Sequence, residues 1–580
     1  MKKYKSEREV NKDFLLKDGD YKTTKEIFER IAKYIPEKNI LAELDNNKNI
    51  VYHTASDLLS DVEAIGDGLI DLGLENKHIA IAAENSYLYV MCDLAIAGGV
   101  GVVTPIDKDA PDDLIVTLLN KCEADAIIIS AYLAEKFQKL QSSCKNLKTI
   151  ITIDKKVEGL PFMQDIIQKG KELAPKKYYR NKKLDLNAPA KILFTSGTTG
   201  ANKGVVLNQN NLSANTINCM DMIKGEMDEN NTSMSVLPMH HATEINTHIL
   251  ARIASGRLTY ICNSMKNMMT DIKIFKPRVI TIVPMIANMF YKTIWANAKK
   301  AGKDKLLKKG IKLCKLMSKF GVDLTHKLFK DVYAPFGGNL RQIVCGGASL
   351  NPDVVKGFRD LGVFIVNGYG ITECGPLVSM NADTVKEVYS VGKAAPNLTI
   401  KLDNIDSDGV GELCVKGKSV SLGYYKDTLA TAQVFDHEGY FHTGDLARIS
   451  KKGLIYLSGR KKNLIVLSNG KNVCPEEIET EIANNIEYAK EYAVYSHEFK
   501  TSTNAINKGI CASIYVENEN IRNDKNKILQ DFRELNKKLP VYKRINYVII
   551  RDVEFEKTST RKIKRSNLDK EHSTVGGIIL

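Results

Sequence analysis

Short apolar runs alternating with helical stretches recur through the first two thirds of the chain, and they constrain its fold more than any other feature. His78-Ile-Ala-Ile-Ala-Ala83, Gly101-Val-Val-Thr-Pro105, Ala126-Ile-Ile-Ile129 and Thr149-Ile-Ile-Thr-Ile153 are too short for helices and apolar on both faces, as strands inside a parallel sheet are. Between them the spacing is helical: from Thr54 to Leu72, Leu58, Leu59, Val62, Ile65 and Leu69 fall on one face, and Tyr21 to Ile35 reads likewise. The rhythm returns at Val279-Ile-Thr-Ile-Val283, Gln342-Ile-Val-Cys345 and Val363-Phe-Ile-Val366. Strands and helices in this alternation predict an α/β protein with sheets covered by helices.

At 580 residues the chain is too long for one hydrophobic core. After Thr399 the pattern changes: Ile400-Lys-Leu, Gly411-Glu-Leu-Cys-Val-Lys and Gly453-Leu-Ile-Tyr-Leu457 alternate like half-exposed antiparallel strands with glycine turns. Beyond Gly459-Arg460-Lys461-Lys462 helices and strands resume. We therefore expect a large domain over residues 1–459, its last part (about 400–459) a small β-barrel-like subdomain. A small α+β domain follows over 460–580, hinged at Lys462.

Composition excludes more than it selects. With 43% hydrophobic and 26% charged residues the chain is neither disordered nor low in complexity. The net charge of +14, from 83 Lys and Arg against 69 Asp and Glu, suits anionic partners of any kind. The eleven cysteines include no CxxC pair, which argues against zinc-ribbon and thioredoxin chemistry and fits a reducing cytoplasm. The first residues carry positive charge but no apolar core of a secretory signal, and no run reaches the length of a membrane span. We expect a soluble, cytoplasmic protein, at most peripheral to the inner face of a membrane. One stretch bears on that point. Lys299 to Lys330 holds eleven lysines with Leu306, Leu307, Ile311, Leu316 and Phe320 among them. As a helix it would be basic and amphipathic, and packing on the body with a solvated face is favoured over membrane contact.

The segment richest in chemistry is Lys191-Ile-Leu-Phe-Thr195-Ser196-Gly197-Thr198-Thr199-Gly200-Ala-Asn-Lys203. A strand runs into a loop whose glycines let backbone N–H groups approach an anion, whose hydroxyls donate, and whose lysine supplies the counter-charge: a phosphate cradle. The spacing is not that of a Walker A loop. Further along come Pro238-Met-His-His241-Ala-Thr-Glu244, Gly346-Gly347-Ala348-Ser349, Asn367-Gly368-Tyr369-Gly370-Ile-Thr372-Glu373, and Gly411 to Gly417 with Gly423-Tyr-Tyr. Thr443-Gly-Asp445, Gly459-Arg460-Lys-Lys462, Gly470 to Ile478 and Lys557-Thr-Ser-Thr-Arg-Lys562-Ile-Lys-Arg565 complete the series. In order and spacing, nearly the whole chain resembles the adenylate-forming superfamily of acyl-CoA synthetases, peptide-synthetase adenylation domains and beetle luciferases.

The resemblance implies roles. Thr195 to Gly200 and Lys203 would hold the ATP phosphates, and Gly347, Ala348, Ser349, Asn367, Gly368, Tyr369 and Gly370 the adenine. Asp445 and Arg460 would take the ribose hydroxyls, and Glu373, beside Thr372, would take Mg2+. Lys562, from the mobile domain, would bridge the carboxylate and the α-phosphate. His241 would border the acyl pocket. Each has a plainer alternative in the residues themselves: a turn-closing Asp445, a surface ion pair for Arg460, ordinary packing for Tyr369, a core histidine at 241. Two positions depart from the family: Asn202 stands where Pro is usual, and Arg561 where Gly precedes the lysine.

The implied chemistry is physically coherent. A carboxylate is a poor acyl donor until AMP is transferred to it, and bringing two anions together needs cations and fixed dipoles in place. The His240-His241…Glu244 segment, the lysine-rich insert and Leu464 to Ile478 are most similar to long-chain fatty acyl-CoA synthetases. The implied activity is ATP-dependent, Mg2+-assisted conversion of a fatty acid to acyl-AMP and then to acyl-CoA, with hinge rotation between the steps. Transfer to an acyl carrier protein, or a non-catalytic acyl-adenylate or lipid binder, remain the alternatives. No groove-reading motif points to nucleic acid.

Overall fold

The computed structural model describes residues 4–5, 22–196, 202–222, 231–347, 350–381, 387–467, 472–500, 506–557, 563–565, 568 and 577–580. The apolar runs become strands because a sheet covered on both faces removes every side chain from water. His78–Ala82, Val102–Pro105, Ala126–Ile129 and Thr149–Thr152 pair parallel, and Ile79, Ile81, Ile127 and Ile128 have no exposed surface. Each such side chain contributes about 1.5–3 kcal/mol relative to exposure. Pro189–Ser196 extends the sheet in parallel from Val102–Pro105, and Asn202–Asn208 returns antiparallel beside it, with Thr195 opposite Lys203. That register sets the lysine at the mouth of the expected phosphate loop.

Helices cover this sheet. Ala55–Asp71 starts at a capping box in which the Thr54 hydroxyl accepts from Asp57 N at 3.1 Å and Asp57 accepts from Thr54 N at 2.8 Å. Met163–Leu173 crosses it so closely that a Cβ on Gly170 would lie 1.8 Å from the Ala64 carbonyl oxygen. Gly170→Ala is therefore expected to destabilise this layer by about 1–3 kcal/mol. The check is thermal unfolding: the midpoint should fall, and activity should be lost only where the variant unfolds.

A second sheet has nine strands. Its centre is parallel (Ser233–Ser235, Val279–Ile282, Gln342–Cys345 and Phe364–Gly370), and Leu377–Met380 returns antiparallel. The other edge is formed by Thr259–Ile261, Asn39–Leu44 and Ile50–Thr54, none of which the sequence pattern announced. A third sheet, antiparallel, joins Leu398–Asp403, Gly411–Gly417, Phe441–Ile449 and Ile455–Arg460, with Tyr4–Lys5 at its edge.

The C-terminal part has its own apolar cluster. Helices Pro475–Asn485 and Lys525–Lys538 pack on strands Glu491–Lys500, Ile506–Tyr515, Tyr547–Arg551 and Gly577–Ile579, burying Ile478, Ile482, Ile528 and Phe532 completely. A polar link joins it to the rest: Asn351 Nδ2 donates to Asn484 Oδ1 at 2.6 Å.

The lysine-rich stretch forms the end of helix Pro284–Lys300 and helix Asp304–Ser318. The second helix buries only Leu307 and Cys314, while Leu306 and Leu316 face outward. All eleven cysteines are buried thiols. Among the described residues no helix is long and apolar enough to cross a membrane.

Candidate active site

The three sheets bring separate segments to one mouth. Phe364–Gly370 ends its parallel sheet at the edge where such folds bind ligands, and it runs on through the turn Thr372–Cys374. Strand ends approach closely here: a Cβ on Gly346 would sit 3.2 Å from Gly368 O, and one on Gly370 would sit 2.3 Å from Pro376 O. Side chains at either position would close the gap between strands. Asn367 is buried; its backbone exchanges hydrogen bonds with Asn381, while its side-chain Oδ1 has no partner.

Asp445 organises the first half of the site. It follows Gly444, whose φ of +69° gives the turn a left-handed step, and its N–H donates to Thr443 Oγ1 at 3.0 Å. Its carboxylate is held from both sides: Tyr369 Oη donates to Oδ2 at 2.6 Å, and Arg460 Nε lies 2.6 Å from Oδ1. The expected Asp445, Tyr369 and Arg460 thus meet. The ion pair of Arg460 is with the site's own aspartate and not an isolated surface pair. Burial pushes the Tyr369 hydroxyl well above its ordinary range, and the Asp445 charge beside it adds to the effect.

Glu373 organises the second half. Burial pushes its carboxyl above the usual carboxylate range, opposed by backbone and Tyr424 hydrogen bonds and by the charge of Arg460. Tyr424 Oη donates to Glu373 Oε1 at 3.1 Å, and Lys203 Nζ lies 4.6 Å from the centre of the Tyr424 ring. Tyr424 therefore joins the cation of the phosphate-loop hairpin to the half-buried acid. It belongs to Gly423-Tyr-Tyr, a segment to which the sequence reading gave no role in the site. Asn202, the departure from the family pattern, has its carbonyl held by Lys121 Nζ at 2.6 Å.

Other expected residues take quieter places. His241 packs at a tilt against His240, ring centres 4.2 Å apart and planes 48° from parallel; burial lowers the His240 pKa to about 4, so that ring is neutral at physiological pH. Glu244 is fully buried, its Oε1 2.8 Å from His248 Nδ1, with His248 Nε2 3.1 Å from Ser233 Oγ. This Ser–His–Glu chain has the order of a hydrolase triad, yet Ser233 has no exposed surface, so it braces the core and meets no substrate. Below the phosphate-loop strand, Lys191 Nζ pairs with Asp93 at 2.6 Å and donates to Asn246 at 2.9 Å, wholly buried.

At the expected hinge, Lys461 Nζ lies 2.7 Å from Glu412 Oε2, while Glu412 Oε1 accepts from Gly444 N at 3.1 Å. The hinge is thus tied to the turn that carries Asp445. Lys462 is held below the ordinary lysine range by burial and by Arg460 and Arg565 nearby. Arg565 Nη2 contacts both oxygens of Glu479, at 2.7 and 2.6 Å, and Lys557 pairs antiparallel with Ile563. Gly197, Thr198, Thr199, Gly200, Ala348, Ser349 and Lys562 lie outside the described residues, as does the Ser196 side chain. Thr195 and Thr372 are half-buried at their strand end and turn.

Residues 28–425 match the model of a family described as AMP-binding enzyme. Long-chain-fatty-acid--CoA ligase FadD15 of Mycobacterium bovis is 27% identical over 458 residues, covering 74% of this chain and 73% of the relative. Human long-chain-fatty-acid--CoA ligase 1 is 27% identical over 457 residues, covering 72% of this chain and 64% of the relative. The fold is shared with ATP-bound MatB from Rhodopseudomonas palustris (TM-score 0.73, 19% identity, 94% of this chain and 98% of that one). It is shared also with the anthranilate CoA ligase AuaEII in complex with anthranoyl-AMP (TM-score 0.75, 17% identity, 95% and 98%).

Proposed function

Because the chain belongs to the AMP-binding enzyme family, we propose that it joins a fatty acid to AMP with release of pyrophosphate and then passes the acyl group to the thiol of CoA. The observation that carries this reading is the meeting of two charge assemblies at one mouth. Tyr369–Asp445–Arg460 and Lys203–Tyr424–Glu373 are near enough that Arg460 and Asp445 bias the ionisation of Glu373.

The residues suit the substrates. Asp445 offers carboxylate oxygens to ribose hydroxyls, and the unpartnered Asn367 Oδ1 is an acceptor for an adenine amino group. Lys203 stands by the phosphates. Glu373 would hold Mg2+, which when bound neutralises charge on the phosphates as the anionic carboxylate approaches. A hard carboxylate oxygen is the donor this ion prefers. Lys562 would hold the carboxylate oxygen against the α-phosphate. For the second step the family's hinge, at Lys462, would carry the lysine away and bring the Gly470 segment up, so that the thiol reaches the acyl carbonyl and AMP leaves. The long-chain preference rests on the names of the relatives and on the His240-His241 segment.

The test is product analysis. The protein is incubated with ATP, Mg2+, CoA and acids from acetate to stearate, with a holo acyl carrier protein present in competition. Acyl-CoA should accumulate and should be richest with the longer acids. Acyl-carrier thioester alone would reassign the acceptor.

Tyr424→Phe removes the hydroxyl that orients Glu373 and keeps the ring under Lys203. We expect the Mg2+ concentration for half-maximal pyrophosphate release to rise about tenfold, with the KM for CoA unchanged.

A further inference from the structure

Helix Asp304–Ser318 shows its apolar residues to solvent. Leu306 is 66% exposed, Leu313 45% and Leu316 52%, and Phe320 just past the helix is 74% exposed. At 100° per residue, Leu316 projects opposite the buried Leu307 and Cys314, while Leu306 and Leu313 lie along the flank, about a quarter to a third of a turn from them, still open to solvent. A helix that served only to cover the body would turn its leucines inward and its lysines outward. Here the lysines share the outward face with the leucines. Lys303 and Lys315 are neutralised by Asp331 at 3.2 Å and Asp360 at 2.8 Å. Lys305, Lys309 and Lys312 are exposed, have no ion-pair partner among the described residues and point to the same open side as Leu316.

We propose that this face, Leu306, Leu313, Leu316 and Phe320 set among Lys305, Lys309 and Lys312, docks on the surface of an anionic lipid bilayer. The leucines and phenylalanine enter the boundary between headgroups and acyl chains, while the lysine stems lie along it and reach up to the lipid phosphates. The combination selects this occupant. An acidic protein or a nucleic acid would match the lysines but leave the apolar side chains without a use, and a neutral apolar partner would leave three unpaired charges desolvated.

The test is co-sedimentation of the full chain with phosphatidylglycerol vesicles and with phosphatidylcholine vesicles. Binding is expected to the first and not to the second. Lys305→Glu/Lys309→Glu/Lys312→Glu should weaken it about a hundredfold. Leu313→Gln/Leu316→Gln/Phe320→Gln, which keeps every charge, should weaken it at least about tenfold. These side chains are exposed, so both variants should keep the parent's thermal midpoint. Failure to bind phosphatidylglycerol, equal binding to both lipids, or full binding by the glutamine variant would each overturn the proposal. So would tighter binding to duplex DNA than to vesicles. The readout needs no turnover, so it stands or falls apart from the proposed reaction.

Discussion

Replacing Glu373 by Gln should lower acyl-AMP formation by about two to three orders of magnitude while leaving the protein at least as stable near neutral pH. Both halves follow from burial. The carboxyl is pushed above its ordinary range, chiefly by desolvation. A raised carboxylate pKa means that the folded state prefers the proton. The stability from that preference is fully present below the unfolded pKa of about 4.3 and is lost as pH rises through the folded value. Above the raised folded value the wild-type site therefore holds a charge that burial disfavours. Gln removes the charge, keeps an oxygen to accept from Tyr424, and retains the volume. Scanning fluorimetry across pH should show the variant equal to or above the wild type near pH 7, the difference closing in acid. Wild-type pyrophosphate release should fall as pH drops through the raised pKa of Glu373; that limb should be missing from the residual activity of the variant. A variant within tenfold of wild type, or one several degrees less stable, would mean that Glu373 packs the turn and does not serve the phosphates.

Lys562→Ala should divide the two half-reactions. Acyl-AMP formation from ATP and fatty acid should fall about a thousandfold, as expected for losing a cation at a developing charge. Thioester formation from supplied acyl-adenylate and CoA should stay within a few fold. Its neighbours make the experiment clean. Lys557 pairs with Ile563 before and after it, and Arg565 is fixed by two contacts to Glu479, so truncation at 562 leaves the flanking chain anchored. Equal loss of both steps would contradict a single site used in two arrangements. Arg561, where the family has Gly, makes this lysine the position most worth testing.

The legible parts of the fold are those whose physics is local. Ile79 or Ile128 reads as buried strand because a run apolar on both faces has no other solution in water, and the Thr54 cap is written within four residues. Ser233–Ser235 and Thr259–Ile261 were not legible. They are three residues each, partly polar, and become strands because Ser233 Oγ and Thr259 Oγ1 satisfy one another at 2.9 Å inside a sheet. The site divides the same way. Asp445, Tyr369, Arg460 and Glu373 sit in recognisable segments, and the structure brings them together. Tyr424 was passed over because its partner Glu373 is 51 residues away and only the fold joins them. Lys191 looked like the plain start of a strand, yet it is a buried cation paired with Asp93 across 98 residues. The lysine-rich helix was legible only in part: its spacing showed that it was amphipathic and it does pack on the body, but which residues meet the body depends on what the body offers.

The first half-reaction proposed for this protein makes a mixed anhydride from ATP and an organic acid. Exchange of labelled pyrophosphate into ATP, measured without CoA while fatty acid is varied, tests it most directly. Exchange should be absent without acid, saturate with a fatty acid, and be lost in the Glu373→Gln and Lys562→Ala variants. Well-folded protein that catalyses no exchange with any carboxylate, short or long, would contradict it.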